Sequence, residues 1–273
     1  MAVTMADIQH LRKMTGAGMM DCKNALNEAG GDFDKAMEII RKKGQAVAAK
    51  REDRDASEGC VLAATDGEFA AIVALQCETD FVAKTDGFIE LTQMILDAAM
   101  QQKPQTKEEL LAIKLSNGAI SQLITDKVAS TGEKMELGFY EYISAPSVTS
   151  YIHMGNKLAT IVGFNKPNVD EHVGKDIAMQ VAAMNPVSIT PNDIPAEIKE
   201  KELEIAREKA REAGKPENLL DRIAEGALQK FYKESTLLQQ EYVKDNKLTI
   251  EQFLKQTDKE LSVTIFKRVS LNV

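Results

Sequence analysis

Two strand–turn–strand patterns, each followed by a helical segment, constrain the fold of this chain more than any other feature of its sequence. The first begins at Gly59, turns at Asp66 and Gly67, and continues as EFAAIVALQC; the second turns at GN between VTSYIHM and KLATIVGF. An Asp-Gly pair between two strand-like runs is typical of a tight β-hairpin. Helical patterns follow at 86–102 and 169–184, so the order hairpin then helix occurs twice. The predicted class is therefore α+β with antiparallel sheets.

The first fifty residues predict three short helices. Thr4 caps the first, residues 19–29 form the second, and Asp32 caps a third that is expected to end before Gly44. A unit of this size has a meagre core, which favours an adapter over a catalytic body. The polar segment 45–58 is predicted to be a linker or a loose helix.

Residues 195–233 predict a pair of antiparallel helices. Apolar residues recur at three- and four-residue spacing on both sides of a Gly-Lys-Pro break at 214–216. Helices joined this tightly must run antiparallel, so we predict a protruding coiled-coil hairpin. A short helix at 249–256 and the strand SVTIFKRV close the chain.

With 273 residues the chain is too long for one minimal core, and the patterns divide it into four units. Residues 1–54 are the three-helix module with its linker, and 55–138 are a first α+β core subdomain. Residues 139–194 and 234–273 make a second core subdomain, whose sheet is expected to start with FYEYISA at 139–145. The coiled-coil hairpin, 195–233, is inserted in this second subdomain.

Composition excludes several classes of function. A net charge of −8 disfavours direct nucleic-acid binding, which requires phosphate neutralisation. No apolar run reaches the length of about 18 residues that a membrane span needs, and no secretory signal is predicted. Three separated cysteines fit neither a disulfide framework nor a zinc site and indicate a reducing compartment, so the expected location is cytoplasmic. Three histidines without ligand spacing, and the lack of a phosphate-binding loop or nucleophile motif, predict no metal, no cofactor and no catalytic residue.

One segment, ETDFVAK, directly follows the predicted strand AIVALQC. Thr79 and Asp80 are turn formers, and they place Phe81 just beyond the strand end. Two interpretations are open at this point. Phe81 either anchors the loop in the local core or belongs to an acidic–aromatic surface offered to a partner, as in interface hot spots.

Two motifs together resemble the elongation factor Ts family. ETDFVAK after a strand is similar to one signature, and LRKMTGAGMMDCKNAL at 11–26 is similar to the N-terminal one. The order of units also matches over essentially the whole chain. Met154 with Gly155, and the MNP segment at 184–186, fit the second subdomain of the family.

The resemblance implies a guanine-nucleotide exchange factor that acts on the GTPase elongation factor Tu. Such an exchange factor performs no covalent chemistry and is not an enzyme. It implies that the N-terminal module is UBA-like and docks on Tu, and that an Asp-Phe tip enters beside the magnesium site so that Mg²⁺ and GDP leave. By matching position, the tip (residues 79–82) consists of Thr79, Asp80, Phe81 and Val82.

Further partner contacts are carried over in the same way. Arg12, Met19 and Met20 match docking residues of the N-terminal module, and His153 matches a contact residue of the second subdomain. A non-catalytic adapter that uses the module and the coiled coil as a scaffold is the alternative function; a hydrolase or transferase has no support in the sequence. The oligomeric state stays open, with a homodimer and a heterotetramer with Tu among the assemblies that the sequence allows.

Overall fold

A computed structural model describes residues 3–271 and divides them between helices and small antiparallel sheets. The helices are α1 (Met5–Thr15), α2 (Met19–Glu28), α3 (Phe33–Lys50), α4 (Asp80–Ala83), α5 (Asp86–Gln102), α6 (Lys107–Ala112), α7 (Ile120–Thr131), α8 (Glu171–Met184), α9 (Ala196–Glu212), α10 (Leu220–Ser235) and α11 (Ile250–Thr257). The strands are β1 (Glu58–Asp66), β2 (Phe69–Cys77), β3 (Lys114–Leu115), β4 (Gly118–Ala119), β5 (Met135–Ser144), β6 (Ser147–Ile152), β7 (Leu158–Phe164), β8 (Glu241–Tyr242), β9 (Asp245–Thr249) and β10 (Val263–Ser270). The arrangement confirms the predicted α+β class.

Both predicted hairpins form and supply the two three-stranded sheets. β1 pairs with β2 from Glu58 opposite Cys77 to Asp66 opposite Phe69, so the turn lies one residue later than expected, with Gly67 at φ +58°. The strand orders are β1-β2-β5 in the first sheet and β10-β7-β6 in the second, and all neighbours are antiparallel. Short ribbons β3–β4 and β8–β9 lie outside the two sheets.

The two sheets pack face to face between two layers of helices. Alternate residues of β1 show this directly, since Cys60 lies in the core formed with α5 and α7, whereas Val61 lies in the core between the sheets. The outer face of the second sheet is covered by α8 and α11. β2 is therefore buried on both faces, which accounts for its nearly unbroken apolar sequence.

The segment FYEYISA does not open the second sheet, so that prediction is wrong. β5 begins at Met135 and pairs with β2 along its whole length, with Cys77 opposite Met135 and Phe69 opposite Ser144. Met135 and Leu137 contribute to the core under α5 and α7, which attaches β5 to the first sheet. The boundary that we predicted between 138 and 139 thus falls inside a strand of that sheet.

The third helix also differs from the prediction, because α3 continues through Gly44 to Lys50. Gly44 is buried against α7, and a Cβ atom there would lie 2.7 Å from the Cβ of Ala129. The glycine therefore permits close packing of two helices instead of ending one of them. As a result, residues 45–50 of the segment predicted to be a linker or a loose helix belong to α3, which packs on α7.

We expect Gly44→Leu to lower the free energy of unfolding by about 1–3 kcal/mol, because the new side chain overpacks the contact with Ala129. Gly226→Leu is the matched control, since Gly226 lies within a helix and has no atom within 4 Å of its would-be Cβ. That control should unfold at or slightly above the wild-type temperature. Thermal unfolding followed by circular dichroism makes the comparison, and equal melting of both variants would contradict the packing role.

The remaining helical parts form as predicted. α1, α2 and α3 enclose a small core of their own, formed by Ile8, Leu11, Ala17, Cys22, Ala25, Leu26, Ala36 and Ile40. α9 and α10 form the antiparallel hairpin, with Gly214 at φ +71° in the connection. Its base is closed where the N–H of Val187 donates to the carbonyl of Ser235 at 2.8 Å. Within residues 3–271, no helix combines the length and apolar character needed to cross a membrane.

Candidate protein-binding site

The tip lies where β2 ends and the single-turn helix α4 begins. Thr79 is the N-cap of α4, and its hydroxyl accepts the N–H of Val82 at 3.4 Å. Val82 is half-buried and Ala83 is buried, and both pack on the core of the first sheet. These two residues hold α4 against the core, while Phe81 faces solvent.

Phe81 is 81% exposed, which excludes the interpretation that it anchors the loop in the core. An aromatic side chain this exposed on a fixed turn is unusual, because such rings are ordinarily buried for their large apolar area. Phe88, seven residues later in the sequence, is by contrast fully buried at the start of α5. The chain thus sends two nearby phenylalanines in opposite directions.

Asp80 stands beside Phe81 and is ionised at neutral pH. Its carboxylate accepts a hydrogen bond from Lys84 Nζ at 2.5 Å, and this bond is the main reason that the pKa of Asp80 lies below its ordinary value. The positive charge of Lys157 lowers the pKa further. Because the pair with Lys84 is solvent-exposed, it contributes little stability and is easily exchanged for another cation.

Two chain segments are hydrogen-bonded to each other at the base of the tip. We name the four residues involved, Glu78, Thr79, Glu133 and Lys134, the clasp. The Glu133 carboxylate accepts the N–H of Thr79 at 3.0 Å and its hydroxyl at 2.7 Å. In return, the Glu78 carboxylate accepts the N–H of Lys134 at 2.7 Å. Each segment therefore satisfies a backbone donor of the other with a carboxylate, which is a strong form of hydrogen bond.

A buried thiol supports the same base from below. Cys77 is fully buried, and burial raises the pKa of its thiol to about 12. The thiol is therefore protonated and donates to the carbonyl of Thr79 across 3.2 Å. The backbone of Thr79 is thus held at its N–H, at its carbonyl and through its side chain.

The clasp also fixes the end of the N-terminal module. Arg51 and Arg54 contact the Glu78 carboxylate at 3.2 and 3.0 Å, and Lys134 Nζ donates to the carbonyls of Glu52 and Arg54, each at 3.0 Å. The segment predicted to be a linker or a loose helix is therefore attached to Glu78 and Lys134, two residues of the clasp.

The Glu78 contacts predict a dependence of stability on pH. The pKa of Glu78 lies below its ordinary value of 4.5 because the carboxylate accepts the Lys134 N–H and faces Arg54 and Arg51. A folded-state pKa below the unfolded one gives stability that is complete above pH 4.5 and is lost as the pH falls through the folded value. Glu78→Gln should therefore melt below wild type at pH 7, with a gap that closes in acid. Glu90→Gln, which alters an exposed carboxylate on α5, is the control; a gap that persists unchanged at pH 3 would contradict this assignment.

His153 lies in the turn between β6 and β7, just after the strand in which we had expected it. It is exposed, and its Nδ1 lies 3.0 Å from the hydroxyl of Tyr151. The same turn carries Met154, whose side chain is 90% exposed, and Lys157, whose Nζ pairs with Glu58. Glu58 is paired with Cys77 in the first sheet, two residues before Thr79, so this turn lies at the end of the sheet from which the tip projects.

Arg12, Met19 and Met20 lie together in the N-terminal module, around the turn from α1 to α2. All three side chains are exposed, with Met20 at 64%. Within residues 3–271, no hydrogen bond or ion pair joins them directly to the tip. They lie on the helices that enclose the separate small core of the module.

Within the described part of the chain, no three His, Cys, Asp or Glu side chains are grouped as metal ligands would be. A cleft of about 840 Å³ separates the N-terminal module from α5 and α7, and its lining includes Met14, Met37 and Met94. The tip is not part of that cleft. The tip presents an exposed aromatic ring beside an ionised carboxylate.

The sequence profile of the family described as Elongation factor TS matches residues 78–272, which include the tip, the clasp, β5 and the whole of the second sheet. The chain belongs to the elongation factor Ts family. It is 66% identical to elongation factor Ts of Porphyromonas gingivalis, over 100% of this chain and 99% of that protein.

Two other elongation factor Ts proteins show the same full-length similarity. The protein of Azobacteroides pseudotrichonymphae is 56% identical over 100% of both chains. That of Bacteroides fragilis is 46% identical over 99% of each. The resemblance to the elongation factor Ts family that was seen in two short motifs thus extends along the whole chain, including the N-terminal module that precedes the profile match.

Proposed function

We propose that this chain is a guanine-nucleotide exchange factor that binds elongation factor Tu in its GDP form and promotes release of Mg²⁺ and GDP, so that GTP can bind. Membership of the elongation factor Ts family supports a role in translation elongation. The observation that carries the finer proposal is the exposed Phe81 on a braced single-turn helix, next to an ionised Asp80.

Exchange requires differential affinity and no covalent step. A factor accelerates release when it stabilises the nucleotide-free GTPase more than the GDP-bound one, and by linkage GDP then weakens the factor's own binding to the same degree. Loss of Mg²⁺ leaves the phosphates of GDP less neutralised, which weakens the nucleotide further. A rigid ring that occupies space near the ion, together with a carboxylate that competes for positive charge, is sufficient to weaken the binding of Mg²⁺ and GDP.

Each predicted contact has a proposed role. Phe81 is the wedge, and Asp80 offers the partner a carboxylate once its exposed pair with Lys84 is exchanged. Arg12, Met19 and Met20 dock the N-terminal module on Tu. His153 contacts Tu from the β6–β7 turn, and we add the neighbouring Met154 because of its exposure. The proposed place of action is the cytoplasm, without direct nucleic-acid or membrane contact.

A nucleotide-release assay tests the proposal directly. Purified Tu loaded with fluorescent GDP is mixed with the chain and excess unlabelled GDP, and the fluorescence decay is followed with Mg²⁺ present. An exchange factor accelerates the decay at substoichiometric amounts. The adapter alternative predicts binding in a pull-down with an unchanged rate of release, and that result would overturn the proposal.

A further inference from the structure

We propose that Glu133 is a positioning residue for nucleotide exchange, which acts through Thr79 to set the direction of Phe81 and Asp80. The inference rests on the proposed function and adds a residue outside the tip, 54 positions away in sequence from the residue that it contacts. Glu133 does not touch the partner in this proposal; it fixes the residues that do.

The contact controls the one rotatable group that caps α4. The Thr79 hydroxyl has one hydrogen to donate and lone pairs to accept with. It donates to Glu133 Oε1 at 2.7 Å, which leaves a lone pair for the N–H of Val82 at 3.4 Å. Glu133 therefore holds the hydroxyl in its capping orientation, and the same carboxylate also holds the Thr79 N–H.

α4 depends on such support because of its length. It contains four residues, and a single helical turn is unstable in isolation because nucleation costs more than one turn regains. Phe81 lies in that turn and makes no buried contact of its own. Without a fixed cap, α4 would sample other conformations and the ring would lose its defined direction.

Glu133 is itself anchored to a rigid element. It directly follows Gly132, which ends α7 in the left-handed region at φ +73°. α7 is packed in the core through Ile120, Ile124 and Val128. Lys134, the next residue, is tied to Glu78 on the other side of the clasp. The position of Thr79 is thus fixed by α7, through Glu133, as well as by the strand β2 that precedes it.

The test compares Glu133→Ala and Glu133→Gln in the full chain by the fluorescent-GDP assay, over a range of Tu·GDP concentrations. We expect the maximal release rate of Glu133→Ala to fall about ten- to a hundredfold, since misplacement by about 1 Å has effects of that size. The half-saturating concentration should stay within about twofold, because the docking surfaces are intact. Glu133→Gln keeps one carbonyl acceptor and should be intermediate.

Glu141→Ala is the matched control, because Glu141 is, like Glu133, a partly buried glutamate, but it lies within β5 and pairs with Lys267. It should exchange at the wild-type rate. A double variant with Phe81→Ala separates positioning from general stability: if Glu133 acts through the ring, adding Glu133→Ala to Phe81→Ala should slow exchange little further.

Several results would overturn the inference. A wild-type maximal rate in Glu133→Ala would do so, and so would full multiplication of the two effects in the double variant. Loss of cooperative melting in both Glu133 variants would show that the residue serves folding instead. If wild type itself fails to accelerate release, the proposed function has failed; if wild type is active and Glu133→Ala is equally fast, only this inference has failed.

Discussion

Phe81→Ala should leave the protein as stable as wild type and make it at least about thirtyfold poorer in stimulated GDP release. The ring is 81% exposed, so its removal uncovers no cavity and should cost well under about 1 kcal/mol of unfolding free energy. As a hot spot buried only in the complex, it should supply about 2 kcal/mol or more of interaction with Tu. If the ring acts mainly on the nucleotide-free state, the loss falls on the maximal rate.

Phe88→Ala is the control of identical chemistry. Phe88 is fully buried in the core under α5, with 0% of its surface accessible to solvent. Its truncation should cost about 3–5 kcal/mol of stability. Where Phe88→Ala still folds, at low temperature, its exchange rate should be near wild type. A large drop in the melting temperature of Phe81→Ala together with normal exchange would contradict the wedge.

The pair of phenylalanines also shows what a single sequence can and cannot predict. Turn formers after an apolar strand placed Phe81 beyond the strand end, but both a buried and an exposed ring fitted that pattern. What decides is the register of one helical turn: Val82 and Ala83 occupy the core side, so Phe81 must face outward. Local periodicity over four residues is too short to reveal such a register.

Long-range contacts account for the other differences. The apolar and polar alternation of β5 is the same whichever sheet it joins, so its pairing with β2 could not be read from the strand itself. Glycine at position 44 resembles a helix stop until its neighbour Ala129 is known. Glu133 lies in no motif, and the role of Glu78 could not be read from the motif that contains it, because both roles depend on contacts with segments more than 50 positions away. The hairpins, the caps and the pair of helices α9 and α10 were predictable because they depend on local turn chemistry and helix periodicity.

The second large effect concerns the N-terminal module. Arg12→Glu combined with Met20→Asp should raise the half-saturating concentration of Tu·GDP about a hundredfold or more, because an exposed cation and an exposed apolar side chain of the proposed docking residues are replaced by acids. The maximal release rate should hardly change, since the tip and the clasp are untouched. The release assay over a wide range of Tu·GDP concentrations measures both quantities.

Point substitutions test docking better than deletion of the module does. α3 packs on α7 through Gly44, and Arg51 and Arg54 are bound to Glu78, so deletion would uncover part of the core and release one side of the clasp. A loss of maximal rate after deletion could then come from a displaced tip. The double substitution leaves those contacts in place and changes only exposed side chains.

The control carries the same change of charge elsewhere on the module. Met5→Asp with Lys35→Glu alters two exposed residues outside the 11–26 signature and should keep the wild-type half-saturating concentration. If it weakens binding equally, the acidic charge of the module matters and not the surface around Arg12 and Met20. If the docking variant instead loses maximal rate at unchanged half-saturation, the module must act on the tip through the contacts of Arg51 and Arg54 with Glu78. Opposite signatures for this variant and Phe81→Ala, one in affinity and one in rate, would assign docking and exchange to separate surfaces of one chain.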